Sequence, residues 1–396
     1  MDTIDVVIVG AGIIGCSTAF ELSKLGLKVE VIEKHKPGAM GSGWTLAGVR
    51  QSGRHESEIP LAKYSVKEWF TLSDKLDGKT LYKQEGNLRL ARNEDEDKRI
   101  KNLVKEQKRN GLEIEYLSSS KEIRDVCPSL SSKIISASYC PTDGHADSKE
   151  TLSSYVDAGK RNGVIFSDNE EVLEISCINN KINSIKTTKR VISCKFCILA
   201  NGIFCNKILK TIGKKIPLEI PIVTVIQTEK TAKLLKPVIG VANASLAMRQ
   251  ENNGYFRISS GFQDWNGNLK LKNDMPFAET TLEKIQSTIY QSIEVIPELK
   301  NCSIKSFWGG LIDLTPDALP VIDYVSECEG LIVASGFSGH GFGIAPAISG
   351  IISDLILNKK PRLPINSFTL HRFQNQSILN NDKYDLTLHG LSLIHI

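Results

Sequence analysis

Hydrophobic and polar residues are arranged at the start of the chain in a pattern that predicts a buried strand, a helix and a second strand. Residues 6–9 form a short, continuously apolar run of β-branched residues, as expected for a parallel strand covered on both faces. Residues 17–25 have helical character and stop at Gly26, and residues 28–32 have the composition of another strand. The chain therefore opens with a βαβ unit.

The turn between the first strand and the helix has the sequence GAGIIG. In such a turn Gly10 permits the sharp change of direction, Gly12 lets a pyrophosphate approach the backbone, and Gly15 lets the helix pack closely on the strand. The N–H groups at the start of the helix then face the phosphates. Glu33 follows the second strand, where a carboxylate can accept hydrogen bonds from ribose hydroxyls. Together these residues predict a dinucleotide site.

The segment after Glu33 favours FAD over NAD as the dinucleotide. Residues 37–48, PGAMGSGWTLAG, contain too many small residues for a core and allow backbone to run beside an extended ligand. A nicotinamide enzyme would usually continue directly into a third βα unit. FAD is longer and needs contacts spread along the chain.

The longest stretch without Asp, Glu, Lys or Arg, residues 330–353, has the length of a membrane helix but not its composition. Its six glycines, four serines, His340 and Pro346 instead predict a strand, a tight loop and a helix. At the N-terminus, Asp2 and Asp5 occupy the place where an export signal carries positive charge. We therefore expect a cytoplasmic protein without a membrane span.

The net charge and the cysteine pattern bear on whether the protein binds nucleic acid or a metal ion. Forty-nine Lys and Arg against 45 Asp and Glu leave a net charge of +4 over 396 residues, which gives no argument for a nucleic-acid partner. The nine cysteines are scattered and are expected to be reduced. Cys194 and Cys197 form a C-x-x-C within a predicted strand, residues 191–199, and no second pair completes a metal site. We expect no bound metal.

Several motifs resemble those of one known group of enzymes. They are the βαβ unit with Glu33, the Gly-Ser-Gly segment leading to Gly48-Val49-Arg50, the ILANG sequence at 198–202, and SGFSGHGFGIAPAISG at 335–350. The chain is similar in these motifs to FAD-dependent amine oxidoreductases of the D-amino-acid-oxidase-like superfamily, and most similar to the glycine oxidase, sarcosine oxidase and amino-acid dehydrogenase branch. The resemblance runs from residue 5 to about residue 373.

The resemblance implies an α/β fold in which a Rossmann-like FAD-binding domain is joined to a second α+β substrate domain on a mainly antiparallel sheet. Alternating runs at 245–250 and 255–260, around a turn at 251–254, fit such a sheet. A helix at 148–162, capped by Asp147, would return the chain to the FAD domain. The expected division is 1–80, 140–216 and 307–373 for the FAD-binding domain, 81–139 and 217–306 for the substrate domain, and 374–396 for an unassigned tail.

The resemblance also implies that FAD is bound non-covalently. Sarcosine oxidases attach the flavin through a cysteine, and the matching segment here, residues 307–314, contains none. A helix starting near Pro346 would point its positive end at the flavin carbonyls. The residues implied to contact FAD are Gly10, Gly12, Ile13, Ile14, Gly15, Glu33, Lys34, Ser42, Gly43, Ala47, Gly48, Val172, Ala200, Gly202, Gly310, Gly339, His340, Gly341, Phe342, Gly343 and Ile344.

In the resembling enzymes the flavin takes a hydride from the carbon next to an amine, and the resulting imine hydrolyses in water. The substrate is a small amino acid or amine, and its carboxylate requires an arginine. Arg50 is the preferred candidate because it follows the flavin-lining segment, and Arg257 is the second. The wider set of candidates comprises the arginines Arg54 and Arg249, the possible pocket walls Tyr255 and Trp308, and His340, for which a cofactor contact is favoured over a role as a base.

Two further departures from the sarcosine oxidase pattern imply, first, a different way of binding the substrate carboxylate and, second, a particular class of electron acceptor. Gly343 stands where those enzymes have a carboxylate-binding lysine, and Ser259 stands near the place of a lysine used in oxygen activation. The second departure favours a dehydrogenase that passes electrons to a quinone or a partner subunit, although oxygen stays open. A homo- or hetero-oligomer fits either case. Two other functions are considered: a flavin module that demodifies a tRNA base, disfavoured by the near-neutral charge, and a non-catalytic flavin-bearing subunit of a larger dehydrogenase.

Overall fold

The computed structural model describes residues 4–272 and 275–374. Most of the tail assigned to 374–396, and Asp2, which entered the argument about an export signal, lie outside the described residues. The helices of the described chain are α1 (Ile13–Ser23), α2 (Gly41–Trp44), α3 (Ile59–Leu76), α4 (Glu94–Arg109), α5 (Ser120–Val126), α6 (Ser148–Arg161), α7 (Cys205–Leu209), α8 (Leu282–Val295) and α9 (Gly341–Ile356).

The strands fall into two large sheets and two short pairs. In chain order they are β1 (Ile4–Val9), β2 (Val29–Ile32), β3 (Gly48–Val49), β4 (Asn87–Ala91), β5 (Glu115–Leu117), β6 (Ser136–Cys140), β7 (Gly144–His145), β8 (Ile165–Ser167), β9 (Val172–Ile178), β10 (Lys181–Thr187), β11 (Val191–Leu199), β12 (Ile222–Thr228), β13 (Val238–Val241), β14 (Leu246–Gln250), β15 (Phe256–Gln263), β16 (Lys270–Lys272), β17 (Met275–Phe277), β18 (Ile304–Leu311), β19 (Val321–Tyr324) and β20 (Leu331–Ser335).

The first sheet has the strand order β19-β20-β11-β1-β2-β8, and the five strands from β20 to β8 are parallel. Val6 lies opposite Phe196 on one side and Val29 on the other. The continuous apolar run of β1 is explained by its central position, since helices cover one face and β9, β10 and α7 cover the other. This is the α/β sheet that the opening βαβ pattern predicts.

Three helices, α1, α3 and α9, pack together on one face of this sheet. The predicted start of the first helix was late, because α1 already begins after Gly12, whose backbone acts as the N-cap. The helix expected to start near Pro346 instead begins at Gly341, so Pro346 lies inside it. The first turn of α9 has a poor helix propensity, and contacts with α3 compensate for it. Trp69 of α3 stacks on Phe342, and the Trp69 Nε1–H donates to the Gly343 carbonyl at 2.8 Å.

Replacing Trp69 by phenylalanine is expected to lower the free energy of unfolding by about 1–3 kcal/mol, because a buried volume and a buried hydrogen bond are lost together. Trp69 is 1% exposed, so no solvent contact can compensate. Urea denaturation followed by circular dichroism measures the change. Tyr290→Phe, at a side chain 74% exposed on α8, is the matched control and should change the value by less than about 0.5 kcal/mol.

The second sheet has the order β18-β12-β15-β14-β13-β4-β6-β5 and is antiparallel except at β13 and β4. The predicted hairpin is present, with β14 paired to β15 so that Arg249 lies opposite Arg257. Helices α4 and α8 pack against this sheet. The predicted domain boundaries at 139/140 and 306/307 fall inside β6 and β18, and the division into two domains stays a prediction.

Helix α6 lies where the sequence places it, at Ser148–Arg161. Asp147 caps it, since its Oδ1 accepts hydrogen bonds from the N–H groups of Lys149 and Glu150 at 2.9 and 3.0 Å.

The expectation that every cysteine is reduced was wrong for one pair. Cys177 of β9 and Cys328 are joined in a disulfide, because the turn before β20 lies beside the β9–β10 hairpin.

Within the described ranges, no helix has the length and apolarity needed to cross a membrane. The same residues contain no group of His, Cys, Asp and Glu side chains arranged to hold a metal ion. Cys194 and Cys197 are both buried in β11 and are not disulfide-bonded.

Candidate active site

A cavity of about 400 Å³ lies between the carboxyl ends of β1, β2 and β11 and the second sheet. Ligands of open α/β sheets bind outside the carboxyl ends of the strands, so its position is the expected one. One end reaches Glu33 and Val172, and the other reaches Arg50 and His340 under the second sheet. The cavity is therefore elongated enough to face both sheets.

The turn after β1 forms a cradle that side chains would fill. Gly10 has φ +102°, and a Cβ there would lie 2.7 Å from the Ala200 carbonyl oxygen. A Cβ at Gly15 would lie 1.9 Å from the Gly10 carbonyl oxygen. The first turn of α1 has no acidic residue and no side-chain cap, and Ser42 Oγ accepts a hydrogen bond from the Ile13 N–H at 2.9 Å. The positive end of α1 thus faces the cavity and fits the pyrophosphate of FAD.

Glu33 is held in one orientation at the end of β2. Its Oε2 accepts a hydrogen bond from the Ala11 N–H and its Oε1 one from the His35 N–H, each at 2.8 Å. Burial raises the pKa of Glu33, and the two backbone donors act against that rise. A carboxylate fixed in this way keeps lone pairs for ribose hydroxyls, which fits the adenosine part of FAD.

The structure divides the predicted cofactor residues into two groups. Most line the cavity, and five lie behind its surface: Gly15, Gly43, Ala47, Gly343 and Ile344. The glycines of this second group permit close packing, since a Cβ at Gly43 would lie 2.2 Å from the Gly38 carbonyl oxygen. The predicted residues that line the cavity are Gly10, Gly12, Ile13, Ile14, Glu33, Lys34, Ser42, Gly48, Val172, Ala200, Gly202, Gly310, Gly339, His340, Gly341 and Phe342.

Of the predicted catalytic residues, Arg50 and His340 line the cavity, and Arg257, Tyr255 and Trp308 do not. Arg257 is on the same strand face as Ser259, which lines the cavity. It lies two residues earlier in β15, outside the cavity lining. There Arg257 Nη1 donates to the Thr45 carbonyl at 2.6 Å, and its Nε lies 3.0 Å from Glu251 Oε1. Its guanidinium therefore connects β15 to the segment after α2 and lies outside the cavity lining.

The two aromatic candidates lie in other surroundings. Tyr255 lies just before the same strand, and the ammonium groups of Lys230 and Lys305 lie 5.7 and 3.9 Å from its ring centroid. Trp308 is half-buried, with the Arg257 guanidinium 5.6 Å from its ring centroid. Arg249 also lies outside the lining, where it contacts His145 Nδ1 at 3.2 Å.

Two buried side chains, Asp143 and Gln107, hold the backbone of residues 51–54 in the loop that carries Arg50 and Arg54. Asp143 accepts hydrogen bonds from the N–H groups of Gln51 and Ser52, at 2.7 and 3.2 Å, and from the Ser52 hydroxyl. Gln107 of α4 accepts from the Gly53 N–H at 3.1 Å and donates to the Arg54 carbonyl at 3.0 Å. Both arginines therefore start from a fixed backbone.

Sequence reasoning missed several residues at this end of the cavity. Asn87 and Arg89 on β4 line it, and Asn87 Nδ2 donates to Ser52 Oγ at 3.1 Å. One signal was present, because two polar residues alternate with leucines in the sequence NLRLA, as on a strand with one polar face. Asp143 and Gln107 gave no local signal, since their partners are distant in the chain.

His340 is the residue just before α9 and is 4% exposed. Burial and the positive charge of Arg54 together lower the pKa of His340 to about 4, against the opposing effect of Glu58. Glu58 Oε2 lies 3.4 Å from His340 Nδ1. The imidazole is therefore neutral at pH 7, and His340 lines the cavity without adding a positive charge.

Asp313 is a half-buried carboxyl group that also lines the cavity. Burial raises its pKa from 3.8 to about 6, although the Gly336 N–H donates to its Oδ2 at 2.7 Å. Between about pH 4 and 6 the unfolded carboxyl has ionised while the folded one keeps its proton. Stability that this group contributes at low pH is therefore lost as the pH rises through that window.

Asp313→Asn, which keeps an acceptor for the Gly336 N–H, is expected to flatten the dependence of the unfolding free energy on pH between about 4 and 6. Urea denaturation at a series of pH values measures the slope. Asp264→Asn, at an exposed carboxylate, is the control and should keep the wild-type slope. An unchanged slope in Asp313→Asn would show that Asp313 does not titrate in this window.

Comparison with known proteins places these features in a family. Residues 5–355 match the family DAO, described as FAD dependent oxidoreductase. Sarcosine oxidase subunit beta from Arthrobacter sp. is 24% identical over 392 residues, covering 95% of this chain and 92% of that protein. Mitochondrial dimethylglycine dehydrogenase from Homo sapiens is 25% identical over 395 residues, and the chain spans only 44% of its length.

Solved structures give the same result. L-proline dehydrogenase from P. horikoshii has a TM-score of 0.87 and 29% identity, covering 94% of this chain and 98% of that one. Glycine oxidase from Bacillus cereus ATCC 14579 has a TM-score of 0.81 and 25% identity, covering 90% and 96%. The predicted fold class, resemblance and FAD cofactor are confirmed. The chain belongs to the DAO family of FAD-dependent oxidoreductases.

Proposed function

We propose that the protein uses FAD to oxidise the carbon–nitrogen bond of a small amino acid or a related amine. The observation that carries the proposal is the position of Arg50, which lines the cavity together with residues of the second sheet. Gly48 and Ser42, which precede it along the lining, lead from the pyrophosphate cradle toward this arginine. A carboxylate bound by Arg50 would hold the rest of the substrate beside the flavin.

The surroundings of Arg50 favour an anionic ligand. Burial lowers the pKa of Arg50, and the negative charges of Asp143 and Glu58 act against that effect. Asp143 already accepts hydrogen bonds from the backbone of Gln51 and Ser52, so its charge compensates Arg50 from a distance. A bidentate contact with a substrate carboxylate would supply the hydrogen bonds that a guanidinium favours.

The second sheet contributes an apolar cover. Val223 and Val225 of β12 and Leu246 of β14 line the cavity opposite the first sheet. When bound, FAD supplies the redox chemistry, by accepting a hydride from the carbon that bears the amine. Arg50 orients the substrate, the apolar cover excludes water, and neutral His340 adds no positive charge beside the substrate amine.

The names of the relatives support the same substrate class. Proteins named L-proline dehydrogenase, glycine oxidase and sarcosine oxidase subunit beta each align with nearly the whole chain. No cysteine occurs among the described residues that line the cavity, which supports non-covalent FAD. Ser259 lines the cover, and the lining lysines, Lys34 and Lys207, lie toward the adenosine end. We infer a dehydrogenase that passes electrons to a quinone or a partner subunit.

Anaerobic reduction of the flavin tests the proposal. The holoenzyme is mixed with glycine, sarcosine, dimethylglycine, proline and the D- and L-forms of the common amino acids, and loss of the flavin absorbance band is recorded. At least one of these compounds is expected to bleach the flavin, and a quinone or dye should reoxidise it faster than oxygen. A flavin that no amine reduces would contradict the proposal and favour a non-catalytic flavin-bearing subunit.

A further inference from the structure

Arg54 faces the same cavity as Arg50 but is not needed for the contact proposed above. Its side chain is 3% exposed and lines the cavity. Within the described part of the chain, its Nε and Nη1 atoms have no hydrogen-bond partner. Burial of a guanidinium without a hydrogen-bonded anion is unfavourable, so an anionic ligand at this position would remove a cost of folding.

The position of Arg54 is fixed by its backbone. Gln107 binds both the Gly53 N–H and the Arg54 carbonyl, and Gln107 itself is fully buried. Gly53 has φ +64°, and a Cβ built there would lie 2.9 Å from Arg89 Nη2. The Arg89 side chain therefore packs directly over this loop and lines the same end of the cavity as Arg54. Two guanidinium groups thus reach this end in addition to Arg50.

The carboxylates that act on Arg54 are shared with Arg50. The negative charges that act on Arg54 are those of Glu58 and Asp143, and the same two act on Arg50. Asp143 is engaged by the backbone of Gln51 and Ser52, and Glu58 lies beside His340. Two arginines share these two charges, which reduces their mutual repulsion but leaves guanidinium N–H groups of Arg54 for a ligand.

This inference rests on the proposed function and specifies its substrate. We propose that the substrate is an amino dicarboxylate, in which Arg50 binds the carboxylate next to the amine and Arg54, with Arg89 beside it, binds the second carboxylate. Such a compound carries a net charge of −1 at pH 7, whereas an amino acid with a neutral side chain carries none. Electrostatic complementarity therefore favours the dicarboxylate.

Pairs of compounds that differ only in the second carboxylate test the inference. The holoenzyme is reduced anaerobically with aspartate, glutamate and iminodiacetate, and with the monoamide of each, and the second-order rate constant for flavin reduction is compared within each pair. For the preferred compound the wild-type ratio is expected to be about 100 or more, because a site built for a charged group rejects the analogue that leaves it unpaired.

Arg54→Gln is expected to bring this ratio down to about 5 or less, because the rate constant with the dicarboxylate should fall far more than the rate constant with its monoamide. Arg92→Gln is the matched control, since it removes a guanidinium that pairs with Glu96 and lies outside the cavity lining. It should keep the wild-type ratio. The thermal midpoint of Arg54→Gln should stay close to that of the wild type, because Arg50 remains to compensate the charges of Glu58 and Asp143.

Ligand binding gives a readout that needs neither turnover nor a variant. Succinate and its monoamide are titrated into the oxidised holoenzyme while the flavin absorption spectrum is recorded, and succinate is expected to bind about 30-fold or more tightly. Equal affinities, or a wild-type ratio of rate constants near one, would overturn the inference and leave amino-acid oxidation intact. Equal loss of all substrates and of thermal stability in Arg54→Gln would assign Arg54 a structural role instead.

The failure of the proposed function has a different signature. In that case no amino acid or amine of any kind reduces the wild-type flavin. The succinate titration still decides whether a second carboxylate site exists.

Discussion

Arg50→Met is expected to lower kcat/KM for the amino-acid substrate by about 100- to 1,000-fold while the FAD content of the purified protein stays unchanged. The substitution keeps most of the side-chain volume and removes the fork of N–H donors that would bind the carboxylate. Loss of one partner of a buried, hydrogen-bonded charge pair costs about 2–5 kcal/mol, which corresponds to this range. Arg50→Lys keeps the charge without the fork and should fall between the two proteins.

Stopped-flow measurement of anaerobic flavin reduction separates binding from chemistry in these variants. The apparent dissociation constant of the substrate should carry most of the change, since Arg50 binds a group that does not react. The same experiment with Arg257→Gln distinguishes the two candidate arginines. Arg257 is already paired with Glu251 and Thr45, so its loss should lower thermal stability more than substrate affinity. The reverse result would place the carboxylate at Arg257 and refute the assignment to Arg50.

Gly12→Val is expected to yield a folded protein that does not retain FAD. A Cβ at Gly12 would lie 3.1 Å from Ser42 Oγ, and the two methyl groups of valine would extend into the cradle at the start of α1. The pyrophosphate would then lose its approach to the N–H groups of the first helical turn. We expect the dissociation constant for FAD to rise by at least about 100-fold, as the loss of two or more charge-assisted hydrogen bonds implies.

The ratio of FAD to protein after purification, followed by titration of the apoprotein with FAD, measures this effect. Gly26→Asn is the matched control in the same βαβ unit. Gly26 has φ +73° and no atom within 4 Å of an added Cβ, and asparagine tolerates this conformation better than most residues. This control should bind FAD as the wild type does. Full FAD occupancy in Gly12→Val would contradict the assignment of the cradle to the pyrophosphate.

The sequence predicted the dinucleotide end of the cavity well because the contacts there are local. Gly10, Gly12 and Glu33 belong to one βαβ unit, so their spacing in the chain determines their positions in space. Arg50 was also accessible to sequence reasoning, because it directly follows the segment that leads away from the cradle. The start of α1 was misplaced, since its first turn depends on the backbone of Gly12 and on packing rather than on helix propensity.

The rest of the site depends on contacts between distant segments. The position of Arg54 is set by Gln107, and Asp143 fixes the preceding residues, yet both partners lie in other parts of the chain. Strand alternation places Arg257 on the same face as Ser259 but does not reveal how far the cavity extends along that strand. The disulfide between Cys177 and Cys328 was not predicted for the same reason, because it joins residues separated by 151 positions.

The most direct test of the central claim is anaerobic flavin reduction by an amino acid and by its carboxamide, measured side by side with the holoenzyme. Both compounds have the same reacting carbon and amine, and only the amino acid has the carboxylate that Arg50 is proposed to bind. We predict that the amino acid bleaches the flavin at a second-order rate constant at least about 100-fold greater than that of the carboxamide. Equal rates for the two compounds, or no reduction by any amino acid, would contradict the account.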